Sequence, residues 1–511
     1  MKKAGIFLLI IMMLVSVILI YLFCIDKQPY TLEYTLKEDG YYVTGYAGDV
    51  QNVIIPEVYD DKPVVGVGKA VFEDCDELKK IRIPDTVTII ENFAFAGCSE
   101  LESITISGDN ITYIGYGAFN NTGYYNTESN WENGVLYIGK YLIAAKSDIV
   151  SDTYVIKPGT VSIADHAFEE CNEITDINIP DSVVYIGNSA FYYCESLTSI
   201  SIPEGVTSIG GEAFSNCYGL TDITIPDSVT SIGYGAFESC SSLTSINIPN
   251  GVTSIGGEAF SSCYGLTDIT IPDSVTGIGD SAFKNCSRLT SINIPDGVTS
   301  IGDEVFSGCR RLTDITIPDS VTSIGVHVFD DTCYYNTESN WKYGVLYIGN
   351  HLIKVDRNFV SGEFTIKDGT ITIGGYAFES CRINKISIPE SVKYIGVGAF
   401  SGCTSLKSIQ IPQGIKRIED EVFSNCTQLL EINIPDGVTS IGSKAFSNCR
   451  KIKIMYIPES VTRIKASAFE DCSNLLYIHY SGTMLKWHGI VGKLEGLDKC
   501  TVCCTDGEIE L

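Results

Sequence analysis

Nineteen cysteines and five histidines are the residues of this 511-residue chain with the widest chemical repertoire. Thiolates attack, form bridges or hold metals, and imidazoles move protons. Their spacing points elsewhere. Cys171, Cys194, Cys217, Cys240, Cys263, Cys286 and Cys309 recur every 23 residues, one per repeat at an inward-facing position, where Cys behaves as a small hydrophobe. Stacked repeats bring neighbouring Cα atoms within disulfide range, but the side chains run parallel along the stack, so unbridged thiols are expected. Cys500, Cys503 and Cys504 form a C-x-x-C-C, yet zinc needs a second ligand pair and none lies nearby. His166, His327, His351, His479 and His488 fall in no H-E-x-x-H, and the chain has no G-x-S-x-G elbow, P-loop or paired catalytic carboxylates. The expectation is a protein that is not an enzyme, with no catalytic residues, no metal site and no cofactor.

Aromatic residues raise a second possibility. Tyr124–Ile143 (YYNTESNWENGVLYIGKYLI) and Tyr334–Ile353 (YYNTESNWKYGVLYIGNHLI) nearly copy each other and interrupt the array. Each has two apolar runs joined at Gly139-Lys140 or Gly349-Asn350, a hairpin signal. Their Tyr and Trp rings read either as a sugar-binding platform or as packing of the hairpin onto its neighbours, and packing is the favoured reading.

The elements that must position these residues are set by the repeat. Pro203, Pro226, Pro249, Pro272, Pro295 and Pro318 are 23 residues apart, and a fixed period of this length means a solenoid. In Leu289–Ile294, Leu289, Ile292 and Ile294 face one way and Ser291 and Asn293 the other, the pattern of a half-buried strand. Pro295 ends that strand. Val298 and Ile301 mark a second, shorter strand, Gly302 a tight turn, and Val305, Phe306 and Cys309 one helical or 3-10 turn with its apolar side inward. Stacked roughly 4.8 Å apart, such coils place Ile on Ile, Phe on Phe and Cys on Cys.

The pattern I-P-x-x-V-x-x-I-G-x-x-A-F-x-x-C, repeated from about Leu32 to the C-terminus, resembles the BspA-like leucine-rich repeat surface proteins. The resemblance implies a leucine-rich-repeat solenoid of mainly short parallel strands. It also implies a surface role in adhesion or protein recognition, usually without catalysis.

Lys2 and Lys3 precede an apolar run from Ala4 to Cys24, long enough to span a bilayer with the N-terminus inside. Residues 1–30 are therefore expected to be a signal anchor or a signal peptide, and the protein membrane-anchored at the cell surface, or secreted if the segment is cleaved. Leu22-Phe23-Cys24 is a poor lipobox. Residues 31–70 are expected to form an N-terminal cap, 71–480 the solenoid with hairpin inserts at 124–148 and 334–358, and 481–511 a C-terminal cap in which Trp487 covers the last coil. Terminal repeats must be atypical, because bare ones would expose the core and the sheet edges.

Formal net charge is −28. The excess is concentrated in residues 159–309, with nineteen acidic residues against Lys284 and Arg288. Nucleic acid is disfavoured as a partner, since affinity for it rests on neutralising phosphates. On the long strand's outward positions, Asp222, Asp268 and Asp314 recur every second repeat, roughly 9–10 Å apart and too far to share a calcium ion. Past the second insert that surface changes to Glu431 and Asn433, Ile454 and Tyr456, Tyr477 and His479. Exposed aromatic and apolar residues there are the binding candidates, since Tyr anchors dominate interfaces, unless the C-terminal cap covers them. The expected function is recognition of a protein or cell-surface ligand through the repeat sheet face. A passive envelope scaffold and an enzyme on a solenoid frame are the rivals.

Overall fold

The computed structural model describes residues 29–148, 153–491, 497 and 500–511. They form two units, one of residues up to Cys194 with Pro203–Val206, the other of Glu195–Ile202 with Thr207–Leu511. Apart from Pro29 and Tyr30, the anchor expected at 1–30 lies outside the described residues. Among the described residues no helix is long and apolar enough to cross a membrane.

In the second unit the 23-residue repeat translates directly into coils. Ser291–Asn293 pairs in parallel with Asp314–Thr316, burying Ile292 and Ile315 while their neighbours face outward. Pro295 lacks an N–H and ends the strand, and a turn closed by Val298 N–H donating to the Pro295 carbonyl at 3.0 Å leads to the short strand Ser300–Ile301. The short strands Ser208–Ile209, Ser231–Ile232, Ser254–Ile255, Gly277–Ile278, Ser300–Ile301 and Ser323–Ile324 stack in one parallel ladder. Leu289, Val298, Val305, Phe306 and Cys309 are fully buried. The solenoid expected from the repeat is the fold.

The third side of the coil completes its hydrogen bonding in two directions. Ala259, Ser261 and Cys263 donate N–H back three residues within the coil, whereas Glu258, Phe260 and Ser262 donate to Asp280, Ala282 and Lys284 of the next coil at 2.7–2.8 Å. The alternation is made possible by left-handed backbone at Glu258 (φ 56°) and Ser262 (φ 59°), and the same pair recurs at Ser281 and Asn285. Inside, Phe237, Phe260, Phe283 and Phe306 stack face to face with centroids 5.4–5.6 Å apart.

The cysteine ladder is a ladder of donors. Cys263 Sγ donates to the Phe237 carbonyl, Cys286 to Phe260 and Cys309 to Phe283, each at 3.1 Å. The described cysteines are free thiols, and in the ladder Cys240, Cys263, Cys286, Cys309, Cys426 and Cys449 donate to backbone carbonyls of the preceding coil.

The first unit opens with an antiparallel hairpin, Tyr30–Leu36 against Tyr41–Gly48, whose second strand runs parallel to Lys62–Val67. Tyr46 stacks on Phe72 at 5.1 Å, so a tyrosine ring closes the start of the phenylalanine ladder. In the second unit the chain ends on a helix, Met484–Ile490, capped by the Thr483 hydroxyl and burying Trp487 against Tyr480. Thr501–Cys504 then extends the sheet in parallel beyond Tyr477–Tyr480, and Gly507–Glu510 turns back antiparallel along it.

Candidate binding surface

Three adjacent strands, Glu431–Asn433, Ile454–Ile457 and Tyr477–Tyr480, carry the six candidate residues. Alternation buries Ile432, Met455 and Ile478 and turns Glu431, Asn433, Ile454, Tyr456, Tyr477 and His479 outward. Register then aligns them in two columns: Asn433 beside Tyr456 and Tyr456 beside His479 in one, Ile454 beside Tyr477 in the other. The Tyr456 and His479 rings stack at 5.0 Å and 17°, and Tyr477 lies at 6.4 Å from His479 in nearly the same orientation. Tyr456 remains 54% and Tyr477 44% exposed. The C-terminal strands prolong the sheet at its edge, so these rings stay open to solvent.

Four residues that sequence reasoning missed join this face. In ordinary coils the position before the outward pair is threonine, as at Thr221, Thr267 and Thr313, whose hydroxyls donate to the threonine carbonyl of the preceding coil. In the C-terminal coils that column reads Lys407, Leu430, Lys453 and Leu476, tied by backbone bonds from Leu430 to Lys407 and from Leu476 to Lys453. Leu430 is 53% exposed, and among the described residues neither lysine makes an ion pair. The replacement of a repeated Thr by Leu or Lys was the available signal. A depression of about 710 Å³ lined by Lys385, Ser408, Gln410, Glu431 and Asn433 adjoins the rings. The surface is thus apolar and aromatic, edged by unpaired cations and by amide and hydroxyl groups.

The two inserts share one internal scaffold. Trp131 Nε1 donates to the Tyr125 carbonyl at 2.7 Å and Trp341 Nε1 to the Tyr335 carbonyl at 2.6 Å, with the ring pairs edge to face at 5.0 and 5.3 Å. Tyr124 and Tyr334 hydroxyls donate to the carbonyls of Tyr137 and Tyr347. The hairpins are Val135–Ile138 with Tyr141–Ala145 and Val345–Ile348 with His351–Val355. Each insert borders a cleft, about 700 Å³ at the first and about 810 Å³ at the second. His351, the first residue of the second hairpin's returning strand, is fully buried between Thr372 Oγ1 and the Pro318 carbonyl, and burial lowers its pKa. Among the described residues no cluster of three or more His, Cys, Asp or Glu side chains is placed to hold a metal.

A coiled chain of leucine-rich repeats with an exposed sheet face defines a protein of the repeat-solenoid class. The family model described as a BspA type leucine rich repeat region matches residues 65–154, 161–290, 276–361 and 357–476, and the chain belongs to that family. Proteins of this family are usually cell-surface repeat proteins and typically not enzymes. Among solved structures the chain is similar to a leucine-rich repeat protein from Bacteroides ovatus, with 27% identity, 89% of this chain and 98% of that chain covered and a TM-score of 0.35. It is also similar to a leucine rich cell surface protein from Faecalibacterium prausnitzii, with 28% identity, 91% and 98% coverage and a TM-score of 0.28. No curated protein matches the chain.

Proposed function

We propose that this protein is a membrane-anchored, extracellular recognition protein that binds a protein or cell-surface partner through the sheet face of its C-terminal coils. The observation that carries this reading is the exposed stack of Tyr456, His479 and Tyr477 beside Leu430, Ile454 and Leu476. Large rings and aliphatic groups left in water at adjacent positions gain more by being covered than do the hydroxyls of ordinary coils. Lys407 and Lys453 favour a partner surface with acidic groups around an apolar centre.

Labelled protein should bind saturably to the partner's cells or matrix. Replacing Tyr456 and Tyr477 by Ser should weaken that binding by roughly 2 kcal/mol or more, about 30-fold, the scale of interface hot spots, with the melting temperature nearly unchanged. The same replacement at Asn247 and Asn293 should do almost nothing. Unfolding of the C-terminal coils on tyrosine replacement would instead assign those rings to packing.

The anchor supplies its own expected result. The apolar run Ala4–Cys24 keeps the mature chain beginning near Met1 and in the membrane fraction after a high-salt wash. Recovery from the soluble fraction of a chain starting near Tyr30 would establish cleavage and secretion.

A further inference from the structure

The two inserts have the same skeleton but different mouths. In the first, Lys146 Nζ lies 5.1 Å from the centre of the Trp131 ring and pairs with Glu128 at 2.7 Å, so a cation already occupies one face of the indole. The equivalent position of the second insert is Asp356. That carboxylate accepts the Asn358 N–H at 2.9 Å, and the Phe359 N–H donates to the Asp356 carbonyl at 3.0 Å. The tight turn so formed is tied to the hairpin by Asp356 N–H donating to the Gly344 carbonyl at 2.8 Å. Gly344, at φ 76°, has to be glycine for this approach, because a Cβ there would lie 2.4 Å from the Phe359 Cβ.

The result is an aromatic rim whose two outer rings have no aromatic counterpart in the sequence of the first insert. Phe359 is 73% and Tyr343 93% exposed, and both line the cleft with half-exposed Trp341. Asn133 and Ile149 stand at the equivalent positions of the first insert. Two solvated rings cost free energy unless something covers them. The polar lining carries both signs: Glu338, Asp356 and Glu379 against Lys354 and Arg357. Among the described residues Glu338 and Arg357 form no side-chain hydrogen bond or ion pair.

We propose that the cleft of the second insert binds a neutral oligosaccharide, stacking sugar C–H faces on Tyr343, Phe359 and Trp341 and pairing hydroxyls with Glu338 and Arg357. A pyranose offers that combination, an apolar face edged by groups that both donate and accept hydrogen bonds. Mixed charges with little net sign suit a neutral polyol better than an anion or a cation. At about 810 Å³ the cleft falls within the ordinary range for small-ligand sites, roughly 300–1,000 Å³. This site is separate from the C-terminal sheet face and stands or falls independently of it.

The test is titration of the full-length protein with soluble gluco-, manno- and N-acetylglucosamine hexasaccharides, followed by tryptophan fluorescence and calorimetry. At least one should bind saturably and change the emission, and Trp341→Phe should abolish the change while Trp131→Phe leaves it intact. Tyr343→Ser with Phe359→Ser should weaken binding at least tenfold without altering the circular dichroism melt. Should that double variant melt early, Glu338→Gln and Arg357→Gln, both at exposed side chains, should each weaken binding severalfold in a fully folded protein. The proposal is overturned if none of the three hexasaccharides binds, if binding survives the rim and polar substitutions, or if it depends on Trp131.

Discussion

Between pH 9 and pH 11 the protein should lose stability steeply, with its thermal midpoint falling throughout that range. The cause is the thiol ladder. Burial pushes Cys263 up to about 12 from the ordinary 9.0, and moves Cys240, Cys286, Cys426 and Cys449 well above it. Below pH 9 folded and unfolded chains hold the same thiol protons, and the pairing of neutral thiols with backbone carbonyls contributes in full. Above it the unfolded chain ionises while the folded chain keeps its protons, so stability falls as pH rises, until the folded values are reached. At pH 10 each such thiol costs on the order of 1 kcal/mol, and five together several kcal/mol, a large share of the 5–15 kcal/mol that holds a typical domain together. The measurement is a set of circular dichroism melts from pH 7 to 11 under reductant. A flat profile would place these cysteines in water or in disulfides. At pH 7 the addition of reductant should change nothing.

Phe260→Ala should cost on the order of 3–5 kcal/mol. Phe260 is fully buried between Phe237 and Phe283, with centroids 5.4 Å away on either side, so the cavity opens in the middle of a continuous stack. Coils stabilise chiefly their neighbours, and hydrogen exchange should therefore accelerate first in the coils holding Phe237 and Phe283. Cys263→Ala serves as the control. It removes a small side chain and one thiol donor, but the Phe237 carbonyl still accepts the Cys240 N–H at 3.2 Å, so the loss should be distinctly smaller. Equal costs at the two positions would mean that the stack is not what holds the coils together.

The period was legible because each buried position is filled by one residue type: Pro at the strand end, Phe in the stack and Cys beside it leave almost no freedom in assigning the coil. The outward residues Tyr456, Tyr477 and His479 were legible for the same reason, as departures from an otherwise constant column. Leu430 and Leu476 were not, since a Leu after the repeat's own inward Leu reads as more core until strand register turns it outward. The left-handed residues escaped notice altogether. Glu258, Ser262 and Ser281 belong to types that give no warning of positive φ, whereas Asn285 is of a type that adopts it readily, and what sets the conformation of all four is an acceptor one coil away. Donation by the thiols was hidden similarly, because Cys at an apolar position is read as filler.

Those left-handed residues bear on how the chain acquires its structure. Positive φ costs a non-glycine residue roughly 1–2 kcal/mol, and Glu258 and Ser262 recover it only by donating to Asp280 and Lys284. A lone coil therefore has no reason to adopt the shape, and a finished neighbour supplies one. Assembly should have a slow nucleus of two or three coils followed by rapid templated growth, with the last coil at each growing front always the least settled.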